Sequence, residues 1–246
     1  MPLREEFERS GSWLFRWRSY LPLALVGVIL LAMRRYRYPG DSERLDDLWE
    51  GVCLLVSFFG LGIRIFTVGY TPRATSGRNT KRQVAETLNT TGIYSVVRHP
   101  LYVGNFFMFL GVVLFAHLWW LTLIYILAFW LYYERIMFAE EAFLRKKFGD
   151  PYMTWANNTS PFIPRFRNYR KPDSAFSLKK VLRKEYNGFF AVIISMFILE
   201  ELGEIILNGK FGLDLHWIIL LSLGFIVWAT LRTIKKRTTW LNDRGR

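Results

Sequence analysis

Between Leu101 and Tyr133 the chain runs for 33 residues without an Asp, Glu, Lys or Arg. As a single helix rising about 1.5 Å per residue, that run would be roughly 50 Å long. A bilayer core is only about 30 Å thick. The run must therefore fold back on itself, and His117-Leu118-Trp119 is where a tight turn would divide it into two membrane-length halves. A chain built around such a hairpin is neither disordered nor an ordinary soluble enzyme, and the 52% share of hydrophobic residues agrees.

Four further apolar blocks flank the hairpin, from about Tyr20 to Met33, Leu48 to Tyr70, Asn187 to Leu207 and Leu213 to Leu231. The expected fold class is all-α: a polytopic membrane helical bundle of about six transmembrane helices with a tight central hairpin. The first block is short and has no small-residue cleavage site, so it reads as a span and not a cleaved signal peptide. Three parts follow: an N-terminal span and loop over 1–47, a core over 48–166, and a basic linker with a two-helix extension over 167–246.

Six spans place both termini on one side, together with the segments 71–100 and 134–186. That side carries 27 of the 33 Lys and Arg residues, against five on the other, with Arg64 inside the second block. By the positive-inside rule the basic side is cytoplasmic. The net charge of +13 then expresses topology and attraction to anionic lipid, and no nucleic-acid partner is needed to explain it. On the far side, Glu200, Glu201, Glu204 and Asp214 read as a solvated face. One Cys and three separated His offer neither a disulfide framework nor a metal-ligating spacing, so no metal is expected. His117 and His216 read as structural and Cys53 as span packing.

Two long cytoplasmic segments flank the hairpin and hold most of the polar residues. The first ends in Tyr94-Ser-Val-Val-Arg98-His99-Pro100-Leu-Tyr102-Val-Gly104. Pro100 suits the first helical turn, because its missing N–H costs nothing there, and His99 falls near the N-cap. The helix N-terminus with Arg98 and His99 forms a place for a carboxylate or phosphate. Gly104 would admit a close backbone or ligand. In the second segment, span four continues as a helix through Glu140 and Glu141 and stops at Gly149. Spacing predicts a Glu141–Arg145 ion pair at i,i+4. Folding the hairpin brings Arg98 and His99 to Glu140 and Glu141, making a mixed-charge pocket at the lipid–water boundary.

Arg98-His99-Pro100-x-Tyr102-x-Gly104, Glu140-Glu141-x-x-Leu144-x-x-x-Phe148-Gly149-x-x-Tyr152 and Pro161-Phe-Ile-Pro164 together resemble the isoprenylcysteine carboxyl methyltransferase family. That family shares parts of the pattern with phospholipid methyltransferases. The resemblance covers roughly residues 50–166, with Trp155 standing where the family has a second tyrosine. It implies S-adenosyl-L-methionine held at the cytosolic face and a lipid or lipidated acceptor entering from the bilayer.

The residues suit that cofactor. Arg98, His99 and the helix N-terminus match its carboxylate. Glu140 or Glu141 can accept from its ribose hydroxyls or ammonium. Tyr94, Tyr102, Tyr152 and Trp155 offer π faces to adenine or to the sulfonium. A carboxylate or phosphate acceptor is already nucleophilic, whereas an amine needs a base such as Glu141. Arg64, a charge at membrane depth, is the expected partner of an acceptor carboxylate or phosphate. Arg73, Ser76, Gly77, Arg78, Asn79, Lys81 and Arg82 read as topology plus attraction to anionic lipid, or more sharply as recognition of a phosphorylated lipid headgroup. The acceptor stays open among a prenylcysteine carboxylate, a lipid phosphate such as that of lipid A, and an amine such as phosphatidylethanolamine. A different class, the NADPH-dependent membrane lipid reductases, carries a similar RHPxYxG stretch. Its members tend to have a Cys in the segment after the paired acids, where this chain has Phe143-Leu144-Arg145.

Overall fold

The computed structural model describes residues 2–18, 20, 22–72 and 85–242. The basic-loop residues Arg73 to Arg82, read as attracted to anionic lipid or as recognising a phosphorylated headgroup, lie outside them. The described residues form eight α-helices and no strand: α1 (Leu3–Trp17), α2 (Pro22–Met33), α3 (Glu43–Tyr70), α4 (Pro100–Leu114), α5 (Trp119–Phe148), α6 (Asp150–Asn158), α7 (Leu178–Asn208) and α8 (Leu215–Arg237). The protein is an all-α membrane helical bundle. By length and composition α3, α5 and α8 can each cross a membrane, while α2 and α4 are apolar but shorter. The remaining apolar block lies in α7, which carries three carboxylates near its C-terminal end.

The central hairpin forms as the uncharged run requires. His99 caps α4 with Pro100 at its first position, and α5 starts at Trp119 after a turn in which His117 takes a φ of 55°. From Tyr133, α5 continues without a break to Phe148. Gly149 ends it at a φ of 60°, a conformation in which a side chain would be strained.

Small residues set how closely α3 and α4 approach. A Cβ on Gly60 would lie 2.5 Å from the Gly104 carbonyl oxygen and 2.5 Å from the Met108 nitrogen. Ser57 Oγ donates to the Met108 carbonyl at 2.9 Å across the same seam. Where hydrocarbon surrounds the helices, such close packing of small residues drives association. α1, not anticipated from the apolar blocks, packs Gly11 onto the backbone of α5 at Arg135 and sets Phe7 edge-on to Phe138 at 5.9 Å. Trp13, Trp17 and Tyr20 stay exposed, the arrangement of an aromatic belt at a membrane interface.

The solvated acidic face expected around Glu200 is not there. Glu200 and Glu201 are helical residues of α7 and are each 6% exposed. α7 stays helical beyond its apolar stretch and packs along α3, where Asp46 and Glu50 are buried as well. The basic stretch read as a surface linker is also shorter than expected. α7 already begins at Leu178, with the Ser177 hydroxyl accepting from the Lys180 N–H. Lys180 is buried, its ammonium donating to the carbonyls of Thr71 and Pro72 at the end of α3.

Candidate active site

The residues around α4's first turn are held by backbone pairing to the segment after α6. The Arg98 N–H donates to the Ser160 carbonyl at 2.8 Å and the His99 N–H to the Pro161 carbonyl at 3.2 Å. The Arg165 N–H donates back to the Val96 carbonyl at 3.0 Å, and the Gly92 N–H to the Arg170 carbonyl at 2.9 Å. The indole N–H of Trp155 donates to the Tyr94 carbonyl at 3.0 Å. Trp155 thus ties α6 to this strap.

On this frame four charged groups meet. Arg98 Nη1 lies 2.8 Å from Glu141 Oε2, and His99 Nε2 lies 2.9 Å from Glu141 Oε1. His99 Nδ1 is 3.5 Å from Glu140 Oε2, and the Tyr102 hydroxyl donates to that same oxygen at 3.0 Å. Both oxygens of Glu141 are therefore engaged across the hairpin. The expected Glu141–Arg145 pair gives way to Arg98 and His99, which are more buried and supply fixed geometry.

Burial opposes charge on His99, but hydrogen bonds to Glu140 and Glu141 outweigh it and hold the imidazole pKa above its ordinary value. Burial, then the negative charge of Glu141, pushes the Tyr152 phenol up. Burial and then the charge of Glu140 do the same for Tyr94, so both tyrosines stay neutral beside the acids. Arg98 Nε and the Tyr152 hydroxyl are buried with no hydrogen-bond partner. Such groups are costly to leave unmade, and here they mark spare capacity beside the cluster.

A second charged pair adjoins it. Arg64 in α3 binds Glu185 in α7 through both carboxylate oxygens, Nε to Oε2 at 2.8 Å and Nη2 to Oε1 at 2.9 Å. Its Nη1 donates to Asn105 Oδ1 at 2.5 Å, and the Asn105 amide donates to the Tyr133 hydroxyl at 3.3 Å. Tyr133 packs on Tyr102 at 4.7 Å between ring centroids. A thread of contacts, polar except at the Tyr133–Tyr102 ring pair, thus runs from Glu185 through Arg64, Asn105, Tyr133 and Tyr102 to Glu140.

Of the residues selected from sequence, Arg98, His99, Tyr102, Glu140, Glu141 and Tyr152 come together directly, with Tyr94 beside them and Arg64 at the thread's other end. Gly104 has a different neighbour. A Cβ there would lie 2.5 Å from Arg64 Cγ and 2.8 Å from the Gly60 carbonyl oxygen, so the space it leaves is filled by α3. Asn105, Tyr133 and Glu185 were not anticipated. Asn105 sits three residues after Tyr102, where a helix presents neighbouring positions, and that spacing was the available signal. Glu185 had none, because its partner lies 121 residues away.

The family model for phospholipid methyltransferases matches residues 52–151. The chain is 34% identical over 161 residues to the nickel-cobalt-cadmium resistance protein NccN of Alcaligenes xylosoxydans xylosoxydans, an alignment covering 65% of this chain and 70% of that protein. It is 35% identical over 130 residues to the cobalt-zinc-cadmium resistance protein CzcN of Cupriavidus metallidurans, covering 52% and 57%. It is 37% identical over 84 residues to the protein-S-isoprenylcysteine O-methyltransferase of Schizosaccharomyces pombe, covering 34% and 36%. No solved structure gives a significant match. The match spans α3 to the start of α6, the stretch that builds the cluster, and the chain belongs to the phospholipid methyltransferase family of membrane methyltransferases, together with these relatives.

Proposed function

We propose that this protein is an S-adenosyl-L-methionine-dependent methyltransferase that modifies the polar group of a lipid or lipidated acceptor at the cytosolic membrane surface. The activity it most resembles is carboxyl O-methylation of an isoprenylated cysteine. One observation carries the reading: Arg98, His99, Glu140 and Glu141 converge at the foot of the central hairpin, with Arg98 Nε and the Tyr152 hydroxyl buried and unpartnered beside them. A zwitterionic amino-acid tail needs a cation for its carboxylate and an acid for its ammonium, and this donor set has both. The reaction itself comes from the relative named as an isoprenylcysteine O-methyltransferase, since the names of the two metal-resistance relatives state no reaction.

When bound, S-adenosyl-L-methionine supplies an electrophilic methyl group on a sulfonium. Arg98 would hold its carboxylate, Glu140 or Glu141 its ammonium or ribose hydroxyls, and the tyrosine rings its flat and cationic parts. His99 keeps both acids in place. Arg64, clamped by Glu185 and Asn105, still has N–H groups to orient an anionic acceptor. A carboxylate or phosphate oxygen needs no proton removed, so positioning and exclusion of water are the protein's contribution. For an amine acceptor, Glu141 is the candidate base. The same Arg64 clamp favours a lipid phosphate as the second acceptor class.

The reading is tested by incubating the purified chain with methyl-tritiated cofactor and vesicles carrying either a farnesylcysteine analogue or a phosphorylated lipid. Base-labile radiolabel in the farnesylcysteine fraction is expected, because methyl esters hydrolyse readily. Stable label in the phospholipid alone would assign the phosphate instead. Label in neither fraction, nor in an amine lipid, would overturn the reading.

A further inference from the structure

A second constellation lies far from the cluster just described. Asp46 and Glu50 occupy the first two turns of α3, roughly 20–27 Å along the helix axis from Arg64. Glu200 of α7 joins them, and one carboxylate oxygen from each of the three lies within 4.8 Å of the other two. All three are buried, at 3%, 5% and 6% exposure. His216, at the start of α8, adds a ligand atom within 4.8 Å of those of Glu50 and Asp47.

The surroundings hold these acids in place through neutral donors and two histidines. The Tyr36 hydroxyl donates to Asp46 Oδ2 at 2.8 Å and His117 Nε2 lies 2.7 Å from Asp46 Oδ1. The Trp217 indole donates to Glu50 Oε2 at 2.9 Å. Glu50 Oε1 and Glu200 Oε2, by contrast, are buried with no hydrogen-bond partner. Among the described residues no Lys or Arg forms an ion pair with Asp46, Glu50 or Glu200. Three ionised carboxylates buried together repel one another, and each orphaned oxygen adds a desolvation cost. A cation between them removes both penalties.

We propose that Asp46, Glu50 and Glu200, with His216 at the rim, bind one divalent first-row transition-metal ion. The donor set identifies the class. Carboxylate oxygens alone would suit Mg²⁺, Ca²⁺ or Mn²⁺, and the imidazole at the rim shifts the preference to Zn²⁺ and its first-row neighbours. Ca²⁺ asks for 6–8 oxygens, and three of the six carboxylate oxygens here are already engaged by Tyr36, His117 and Trp217. Oxygen ligands at about 2.0–2.2 Å from an ion lie roughly 3–4 Å apart, so small side-chain rotations close the observed spacing. Tyr36, His117 and Trp217 orient the ligands from behind, as outer partners of metal-bound carboxylates do. The ion would join α3 to α7 and α8. No spacing motif announces the site, because its ligands come from three helices.

The full-length chain in detergent, stripped with EDTA and titrated with Co²⁺, tests this. Expected are uptake of one equivalent with visible ligand-field bands, displacement by Zn²⁺ but not by Mg²⁺, and a rise in Tm. E50Q and E200Q should each lose that uptake while keeping the chain's other ligand binding. If either variant fails to fold, the spectrum and metal content of the unmodified chain decide alone. Absence of Co²⁺ and Zn²⁺ uptake by the unmodified chain would overturn the proposal. So would equal uptake by E50Q and E200Q. An infrared band of a protonated carboxylic acid that Zn²⁺ leaves unchanged and E200Q removes would show a shared proton in place of a metal.

Discussion

Arg64 of α3 and Glu185 of α7 form a two-point ion pair, at 2.8 and 2.9 Å, with the Glu185 side chain 5% exposed. The pair fastens the C-terminal helices to the stretch that builds the cluster. Removing one partner leaves a buried charge unmatched, which costs about 3–5 kcal/mol. Glu185→Ala is therefore expected to lower stability by that amount. Replacing both together, Arg64→Met with Glu185→Leu, should restore most of the stability, because apolar residues of similar size can substitute for a buried pair. Thermal unfolding in detergent measures both. A loss under about 1 kcal/mol for Glu185→Ala, the range of an exposed pair, would show that the pair is not a fastening.

Arg98 and Glu141 are expected to matter for ligand binding more than for folding. A charge-assisted hydrogen bond contributes about 1.5–3 kcal/mol. Arg98→Ala and Glu141→Ala should each weaken cofactor binding at least roughly tenfold with little change in helical circular dichroism. Undiminished binding in both variants by isothermal titration would remove these residues from the site.

His99 gives a pH signature. Its folded pKa is raised by Glu140 and Glu141, so its contribution to stability is complete below the unfolded value of about 6.5. That contribution is lost as pH rises through the raised folded value. The stability gap between wild type and His99→Gln should be widest near pH 6 and narrow as the solution becomes alkaline. A gap that widens with pH would mean that His99 is neutral in the folded protein.

The helix seam makes a paired prediction. Gly60→Ala places a methyl 2.5 Å from backbone atoms of α4, which can be relieved only by separating the helices, an overpacking cost of typically 1–3 kcal/mol. Gly62→Ala, two residues on, meets nothing within 4 Å and should be neutral or stabilising by up to about 1 kcal/mol. Equal melting temperatures for the two variants would contradict the close contact of α3 and α4.

Much of this was legible in the sequence, for identifiable reasons. The uncharged run from Leu101 to Tyr133 exceeds a bilayer thickness, so the hairpin and the meeting of Arg98 and His99 with Glu140 and Glu141 followed from length and the position of Pro100. Contacts between distant segments did not follow. Glu185 reads as part of a basic stretch until α7 is seen to cross α3. Glu200 and Glu201 read as solvated because two adjacent acids ordinarily are, and their burial depends on α3 and α8 packing around them. α1 carries too many charges to stand out as an apolar block, yet its Gly11 seats it on α5. Local signals of capping and hydrophobic length were readable, while pairings set by packing over more than a hundred residues were not.

The most direct test of the proposed function is equilibrium binding of radiolabelled S-adenosyl-L-methionine to the detergent-purified chain, competed separately with its demethylated product and with NADPH. Saturable binding displaced by the product and untouched by NADPH is the result expected. No saturable binding, or displacement by NADPH, would contradict the assignment of the Arg98–Glu141 cluster to a methyl donor and place a reductase reading ahead of it.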